Sequence, residues 1–262
     1  MSNAVPPDPR WTVVTGASSG IGTEMARLAA SRGRALVLVA RRADRLEALK
    51  AELAPSRVPI ETLGVDLERP AGAGELVAAL QDRGIVVDTL VNNAGFGLRG
   101  TFATLPYEEQ AAMVELNVTT LTRLCRLVLP DLLARRRGGI INVASVASFQ
   151  AIPYFAVYAA TKAYVLSLSE ALHEEARRHG VTVTAVCPGP TTTEFAKRAN
   201  MEKSKLFSTG AMTAADVARI GFDGYESGRA IVVTGGRNRA LAFGSKLLPR
   251  TFVRRAAGWM QG

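Results

Sequence analysis

The sequence contains few of the residues that bind metals or form disulfide frameworks. Its 262 residues include only two cysteines and two histidines. Cys125 and Cys187 both lie in apolar runs, which predicts buried free thiols in a reducing compartment rather than a disulfide. Because His173 and His179 offer no convergent cluster with these distant cysteines, the sequence predicts no metal site.

Long apolar runs are also missing, and none is long enough to span a membrane. The first ten residues, MSNAVPPDPR, are polar and proline-rich, so they predict a flexible N-terminus over residues 1–10 rather than a secretory leader. With 48% hydrophobic and 21% charged residues, the composition is typical of a packed globular protein. These features favour a cytoplasmic location.

Acidic residues are absent from residues 227–262, although the chain carries a net charge of +9. Seven of those nine charges come from basic residues of this segment: Arg229, Arg237, Arg239, Lys246, Arg250, Arg254 and Arg255. The remaining chain is nearly neutral, which argues against a nucleic-acid partner. Apolar residues alternate with the charges over 237–262, so we interpret this stretch as a basic amphipathic extension, with Pro249 between two short helices.

Apolar, β-branched runs alternate with helical patterns from Trp11 onwards. Seven runs predict strands: WTVVTGA, ALVLVA, VPIETLGVD, VVDTLVNNAG, GGIINVAS, VTVTAVCPG and RAIVVTGG. Apolar strands separated by helices are typical of a parallel sheet covered on both faces. The sequence therefore predicts one α/β domain over residues 11–236: a doubly wound, Rossmann-like, mostly parallel seven-stranded sheet with helices on both faces. Its ligand should bind at the C-terminal strand ends.

The first predicted strand runs directly into TGASSGIG at residues 15–22, which opens a helix. Glycines allow a tight turn and a helix N-terminus favours an anion, so this turn predicts a dinucleotide phosphate site. Residues 16–20, GASSG, also match the G-x-S-x-G turn of serine hydrolases. Only one strand precedes the turn, and both histidines fall within or at the end of a helix. These two facts favour the phosphate site over a hydrolase.

Further motifs follow at later strand ends and on the next helix. They are NNAG at residues 92–95, Ser145 at the end of strand five, and Tyr158 with Lys162 in YAATK. With TGASSGIG, and in this order, they resemble the short-chain dehydrogenase/reductase family in its single-domain branch. The resemblance covers about residues 11–235. It implies an oxidoreductase that interconverts a carbonyl and a secondary alcohol with a nicotinamide cofactor.

The resemblance implies four catalytic residues, Asn117, Ser145, Tyr158 and Lys162. Tyr158 would be the general acid/base, and Ser145 would orient the reacting oxygen. Asn117 would hold a water that links Lys162 to solvent. Because Tyr158 and Lys162 share one helix face, an ammonium at about 5 Å would contribute roughly 3 of the roughly 4 kcal/mol that lower a phenol pKa from about 10 to about 7, and the cationic nicotinamide would add the remainder. Ser148 competes with Ser145, and Asn117 alone also fits a residue that kinks its helix.

The resemblance also implies the cofactor-binding residues. They are Gly16, Ser18, Ser19, Gly20, Ile21, Gly22, Arg41, Arg42, Asp66, Leu67, Asn93, Ala94, Gly95, Tyr158, Lys162, Pro188, Gly189, Thr191 and Thr193. Asp66 would contact adenine, although alone it also fits a helix N-cap, and Thr193 would bind the carboxamide. Where NAD-binding members carry a carboxylate after strand two, this chain has Arg41 and Arg42, which can bind a 2′-phosphate bidentately. The sequence therefore predicts NADP(H).

Apolar residues dominate the loops that face the expected site: Phe96, Phe149, Ile152, Tyr154, Phe195, Met201, Leu206 and Phe207. They favour a bulky apolar carbonyl compound, such as a 3-oxoacyl chain, a steroid-like ketone or an aromatic ketone. A non-enzymatic NADP(H)-binding redox sensor is the alternative, but such a sensor has no need of the complete catalytic set.

Two helices carry apolar residues on more than one face, at Leu121, Leu124, Val128, Val165, Leu168 and Leu172. In the family the corresponding helices commonly build a dimer, so we expect a homodimer. For residues 237–262 the sequence favours folding over the sheet edge or the mouth of the active site. Contact with an anionic membrane surface or an acidic partner is the alternative.

Overall fold

A central sheet of seven parallel strands organises the computed structural model, which describes residues 10–195, 199, 210–244 and 248–261. The strands are β1 (Trp11–Thr15), β2 (Ala35–Ala40), β3 (Ile60–Gly64), β4 (Val87–Asn92), β5 (Gly139–Val143), β6 (Thr182–Cys187), β7 (Thr191–Thr192), β8 (Met212–Thr213) and β9 (Ile231–Val233). The sheet runs in the order β3-β2-β1-β4-β5-β6-β9, and β7 pairs with β8 separately. The predicted doubly wound fold is confirmed.

Helices connect the strands as the alternating sequence pattern predicts. They are α1 (Gly20–Ser31), α2 (Ala43–Leu53), α3 (Gly72–Asp82), α4 (Tyr107–Val114), α5 (Leu121–Arg135), α6 (Ala156–Arg177), α7 (Ala214–Glu226), α8 (Gly236–Gly244) and α9 (Arg250–Gln261). A π-helical segment, Glu115–Thr120, joins α4 to α5, so helical structure is continuous from Tyr107 to Arg135 but not uniformly α-helical. Pro249 immediately precedes α9, which suits its position before a helix N-terminus.

Consecutive residues of the inner strands enter two different hydrophobic cores. Val13 and Leu90 belong to the core on one face of the sheet, whereas Val14 and Val91 belong to the core on the other face. Side chains alternate across a strand, so a strand covered on both faces is apolar at consecutive positions. This requirement explains the continuous apolar runs of the sequence and brings the loops after the strands to one edge.

The residues on which the homodimer prediction depends are buried within the chain. Leu121, Leu124, Val128 and Val165 are buried, and Leu168 and Leu172 pack against the same core. Their apolar character is therefore explained by packing against the sheet. The homodimer stays a prediction, which sedimentation at micromolar concentration would test.

The predicted division into residues 1–10, 11–236 and 237–262 also stays a prediction, and residues 1–9 lie outside the described residues. Within the described ranges, no helix combines the length and the hydropathy needed to cross a membrane.

Candidate active site

A cavity of about 810 Å³ opens at the carboxyl ends of the parallel strands. Every residue predicted to be catalytic or to bind the cofactor lines this cavity, except Gly22 and Asn117, which lie directly behind it. A parallel sheet brings the ends of β1, β2, β4, β5 and β6 to one edge, so motifs far apart in sequence meet there.

The glycine turn between β1 and α1 forms one wall of the cavity. Gly16 and Gly20 have φ values of +66° and +59°, a region that favours glycine. A β-carbon on Gly22 would overlap the carbonyl oxygen of Gly16, so the turn closes tightly on itself. Ser19 precedes α1 without capping it, and the first turn of the helix holds no acidic residue. The helix therefore presents backbone N–H groups that suit the pyrophosphate of a dinucleotide.

A cluster of arginines follows β2 at the same wall. Arg42 donates to the Ser18 hydroxyl over 3.0 Å and pairs with Glu194 at 3.1 Å, while Arg41 pairs with Glu68 at 2.9 Å. Arg45, one turn further along α2, pairs with Glu194 at 2.7 Å. Hydrogen bonds from Arg45 and Arg42 hold the pKa of Glu194 below its usual range. These half-exposed guanidinium groups can exchange exposed carboxylates for a phosphate.

Sequence reasoning missed Arg45, Glu68 and Glu194 as neighbours of this wall. Arg45 lies in the first turn of α2, only three residues after Arg42, and this short separation could have identified it. Glu194 directly follows Thr193, but only the folded chain brings it to α2.

Asp66 lines the cavity and accepts a hydrogen bond from the backbone N–H of Glu68 over 3.0 Å. The alternative that Asp66 caps the next helix is wrong, because α3 begins at Gly72.

Thr193 lies at the opposite side of the glycine turn and contacts Gly20. A β-carbon added to Gly20 would be 3.0 Å from the methyl group of Thr193.

No histidine approaches Ser18, the serine of the G-x-S-x-G match. His173, in α6, places its nitrogen Nδ1 2.9 Å from the carbonyl oxygen of Val183 in β6. Neither His173 nor His179 lines the cavity. Both histidines of the chain are among the described residues. A serine hydrolase therefore has no base at this turn, and that alternative is dropped.

Tyr158 is buried at the centre of the cavity, among aromatic side chains. Its ring stacks on Phe155 with centroids 4.3 Å apart and meets Phe195 at 5.4 Å. Burial raises the pKa of Tyr158 to about 12, and a hydrogen bond with Ser145 acts in the opposite direction. The expected lowering of this pKa to about 7 counted the charges of Lys162 and of the nicotinamide but not the desolvation of the phenol, which opposes it.

Lys162 lies beneath Tyr158 on the same face of α6. Its Nζ is 5.8 Å from the centroid of the Tyr158 ring and donates to the carbonyl oxygen of Val143 over 2.7 Å. Burial lowers the pKa of Lys162 to about 8. The ammonium and the phenol therefore share one desolvated volume at the end of β5.

The competing serines have different partners. The Ser145 hydroxyl accepts from the backbone N–H of Ala147 over 3.1 Å, so its proton stays available to the cavity. The Ser148 hydroxyl donates to the carbonyl oxygen of Lys162 over 2.7 Å and does not line the cavity. Ser145, as predicted, is the serine beside Tyr158.

Asn117 lies in the π-helical segment behind the cavity. Its amide nitrogen donates to the carbonyl oxygen of Phe96 and to the Thr161 hydroxyl, and its amide oxygen accepts from the backbone N–H of Phe96. The side chain thus fixes the loop after β4 against α6. Both amide protons are used, which leaves a single acceptor position for the predicted water.

The predicted substrate lining is correct in part. Phe96, Ile152 and Phe195 line the cavity. Phe149 instead packs against Phe243, and Tyr154, with a φ of +61°, is half exposed to solvent. Met201, Leu206 and Phe207 lie outside the described residues.

Phe155 and Ala257 are among the wall residues that were not predicted. Phe155 lies three residues before Tyr158, a helical spacing that could have identified it. Ala257 of α9 is buried and lines the cavity, although it lies about one hundred residues further along the chain. The neighbouring Gly258 faces Pro153, and a β-carbon added to Gly258 would be 3.2 Å from Cγ of Pro153. The C-terminal segment therefore folds over the site, as the favoured interpretation predicts.

The sheet topology and the residues at its strand ends together define a nucleotide-binding α/β oxidoreductase. Residues 10–204 match the short chain dehydrogenase family. The chain belongs to this family and is an oxidoreductase of the short-chain dehydrogenase/reductase type.

Similar proteins include a very-long-chain 3-oxoacyl-CoA reductase from Bos taurus, 33% identical over 71% of this chain. The match covers 61% of that relative, so the chain spans less than two thirds of its length. A short-chain dehydrogenase from Sphingobium yanoikuyae in complex with NADPH is 33% identical, with a TM-score of 0.81 over 91% of this chain and 94% of that one. A family member from Burkholderia phymatum in complex with NAD is 27% identical, with a TM-score of 0.79 over 90% and 92%.

Proposed function

We propose that this oxidoreductase uses NADP(H) to interconvert an apolar ketone and its secondary alcohol. The substrate class is a 3-oxoacyl chain, a steroid-like ketone or an aromatic ketone. One observation carries the proposal: a single cavity joins the glycine turn and arginine cluster at one end to a buried Tyr158, packed among phenylalanines, at the other. The relatives support it, since one is a 3-oxoacyl-CoA reductase and one binds NADPH.

Residues at the glycine-turn end fit the phosphates and the ribose of NADP(H). The N-terminus of α1 would bind the pyrophosphate, and Arg41 and Arg42 would bind the 2′-phosphate, with Asp66 and Leu67 beside adenine. Another set of residues would hold the nicotinamide end: Asn93, Ala94, Gly95, Lys162, Pro188, Gly189, Thr191 and Thr193. NADP(H), when bound, supplies or accepts the hydride.

The proton chemistry follows from burial. With a pKa of about 12, Tyr158 keeps its proton at neutral pH and can donate it to a carbonyl oxygen as the substrate is reduced. Ser145, which hydrogen-bonds Tyr158, would hold that oxygen in line. Lys162, whose pKa is about 8, is mostly charged at pH 7 and would stabilise the phenolate that forms as the proton leaves. A neutral phenol beside a charged amine is the protonation state from which a carbonyl can be reduced.

The aromatic end of the cavity supports an apolar substrate. Phe96, Ile152, Phe155 and Phe195 line the cavity with side chains that have no hydrogen-bonding group, and the rings of Phe155 and Phe195 pack against the ring of Tyr158. A polyhydroxylated substrate would lose its hydrogen bonds with water there without replacing them, at a cost of roughly 1–3 kcal/mol for each unpaired group.

The experiment measures kcat/KM for NADPH and NADH with a panel of ketones, for the full chain and for Arg41→Asp and Arg42→Asp. We expect NADPH to be favoured, and both substitutions to reverse or greatly reduce that preference because a carboxylate repels the 2′-phosphate. Arg83→Asp, an exposed arginine after α3 that does not line the cavity, should leave the preference unchanged. A preference for NADH in the full chain, or best activity on a small polyol, would contradict the proposal.

A further inference from the structure

Helix α9 has two faces with different environments. Ala257 is buried against the cavity and Gly258 against Pro153, whereas Phe252 and Trp259 are 61% and 72% exposed. Phe252 and Trp259 are seven residues apart, which is about two helical turns, so they lie on the same side of the helix. The side of α9 that faces away from the cavity therefore carries two large aromatic residues into water.

Exposed apolar side chains are concentrated in this part of the fold. Of the twelve large apolar residues that the described chain exposes, five lie in or between α8 and α9: Leu241, Phe243, Leu248, Phe252 and Trp259. Single exposed apolar residues are common, but five of them within residues 241–259 are a concentration that is typical of an interaction surface. We call these five residues, with Arg250, Arg254 and Arg255, the C-terminal surface.

The charge of the C-terminal surface limits what can cover it. Its three arginines are exposed, and residues 227–262 contain no acidic residue to pair with them. Two copies facing each other through this surface would bring like charges together, which opposes self-association. Arginines interleaved with Phe, Leu and Trp are instead typical of helices that lie in the interface of an anionic bilayer, where aromatic rings enter the headgroup region.

We propose that the C-terminal surface docks on an anionic lipid membrane, with α9 lying in the interface. The helix that touches the lipid would then also form a wall of the cavity through Ala257. An apolar ketone partitions into lipid, so docking would bring the cavity to its substrate; this last step alone rests on the proposed function.

The test is co-sedimentation of the full chain with vesicles of phosphatidylcholine, or of phosphatidylcholine mixed with phosphatidylglycerol. We expect binding to the mixed vesicles only, with release at high salt. Arg254→Gln/Arg255→Gln should lower the partition coefficient at least about tenfold, since each basic residue near an anionic surface contributes on the order of 1 kcal/mol. Phe252→Ser/Trp259→Ser should lower it as well. Because no substrate is present, this result does not depend on the reductase assay.

Matched controls come from the opposite edge of the sheet. Arg177→Gln/Arg178→Gln neutralises another adjacent pair of exposed arginines, at the end of α6, and Val86→Ser replaces a residue as exposed as Leu248, at 49% each. These variants should bind the vesicles like the unchanged chain, and circular dichroism should show that every variant folds.

Three results would overturn the proposal. The first is vesicle binding that does not respond to salt or to loss of Arg254 and Arg255. The second concerns polyglutamate, used as a probe for an acidic protein. If the chain binds polyglutamate as tightly as it binds vesicles, and Phe252→Ser/Trp259→Ser does not weaken that binding, the surface would be assigned to an acidic protein. The third is a dimer that Phe252→Ser/Trp259→Ser converts to a monomer, without any vesicle binding, which would assign it to a second copy.

Discussion

The two ends of the cavity are built in different ways. The glycine-turn end consists of residues 16–21, 40–45, 65–68 and 93–95, each within a few residues of the end of its strand. The aromatic end consists of Phe96, Ile152, Phe155, Tyr158, Phe195 and Ala257, which come from the loops after β4 and β6, from the residues around the start of α6 and from α9. The first end is fixed by backbone geometry, and the second by side-chain packing.

This difference has a consequence for function. Tight turns with positive φ and close backbone contacts tolerate little substitution, which suits a cofactor with one invariant structure. Side chains contributed by separate loops can change size one at a time while the sheet stays intact, which suits a variable substrate. Tyr158 and Lys162 lie where the two ends meet, so substitutions there should have the largest effects.

Tyr158→Phe removes the proposed proton donor and little else. We expect kcat to fall by about 10² to 10⁴, the usual contribution of general acid catalysis, while NADPH affinity stays within a few-fold. Tyr225→Phe is the matched control, because burial raises the pKa of Tyr225 to about 12 as well, but its hydroxyl bonds Thr89 away from the cavity. Steady-state kinetics and a fluorescence titration with NADPH measure both quantities. Undiminished activity of Tyr158→Phe would show that Tyr158 is not the proton donor.

Most of the glycine-turn end can be predicted from sequence, because each motif is local. TGASSGIG, the arginines after β2 and NNAG all lie directly after predicted strands, and parallel topology brings them together. The aromatic end is less predictable. Ala257 has no local signature, and the pairing of Glu194 with α2 depends on tertiary structure. The pKa of Tyr158 depends on burial, and the sequence spacing between Tyr158 and Lys162 gives no information about burial.

Lys162 makes the stability of the fold depend on pH in a defined direction. Burial lowers its pKa from 10.5 to about 8, so between these values the unfolded chain holds a proton that the folded chain has lost. Its contribution to the free energy of unfolding therefore rises with pH through this window, by up to roughly 3 kcal/mol.

Lys162→Met should remove that rise. Urea unfolding gives the free energy of unfolding at pH 7 and at pH 10. The contribution of Lys162 is the amount by which this free energy changes more with pH in the unchanged chain than in the variant. Cys125, Cys187 and Tyr158, with pKa values raised to about 12, act in the opposite direction in both proteins and therefore cancel. Lys50→Met, outside the cavity, is the control. Parallel pH profiles for Lys162→Met and the unchanged chain would show that Lys162 does not carry the effect.

Gly22→Ala tests how rigid the glycine-turn end is. The added methyl group would overlap the carbonyl oxygen of Gly16 and lie 2.5 Å from the Asn93 amide nitrogen. We expect the free energy of unfolding to fall by about 1–3 kcal/mol, and NADPH to bind more weakly because the turn must shift. Gly74→Ala in α3 is the control, since no atom lies within 4 Å of its new methyl group, and it should stabilise the chain by up to ~1 kcal/mol. Equal thermal unfolding of the two variants would contradict this picture.

Ala257→Phe tests the aromatic end, where a larger side chain should change selectivity without disturbing the cofactor. Ala257 lines the cavity from α9, and a benzyl group there would occupy space that a bulky ketone needs. We expect kcat/KM for a bulky aromatic ketone to fall about tenfold relative to a small aliphatic ketone, equivalent to ~1.4 kcal/mol, with NADPH affinity unchanged. Ala256→Phe places the same group on the exposed side of the same helix and should leave the ratio of the two ketones unaltered. If both variants shift that ratio equally, or if Ala257→Phe weakens NADPH binding instead, the two ends of the cavity are not independent.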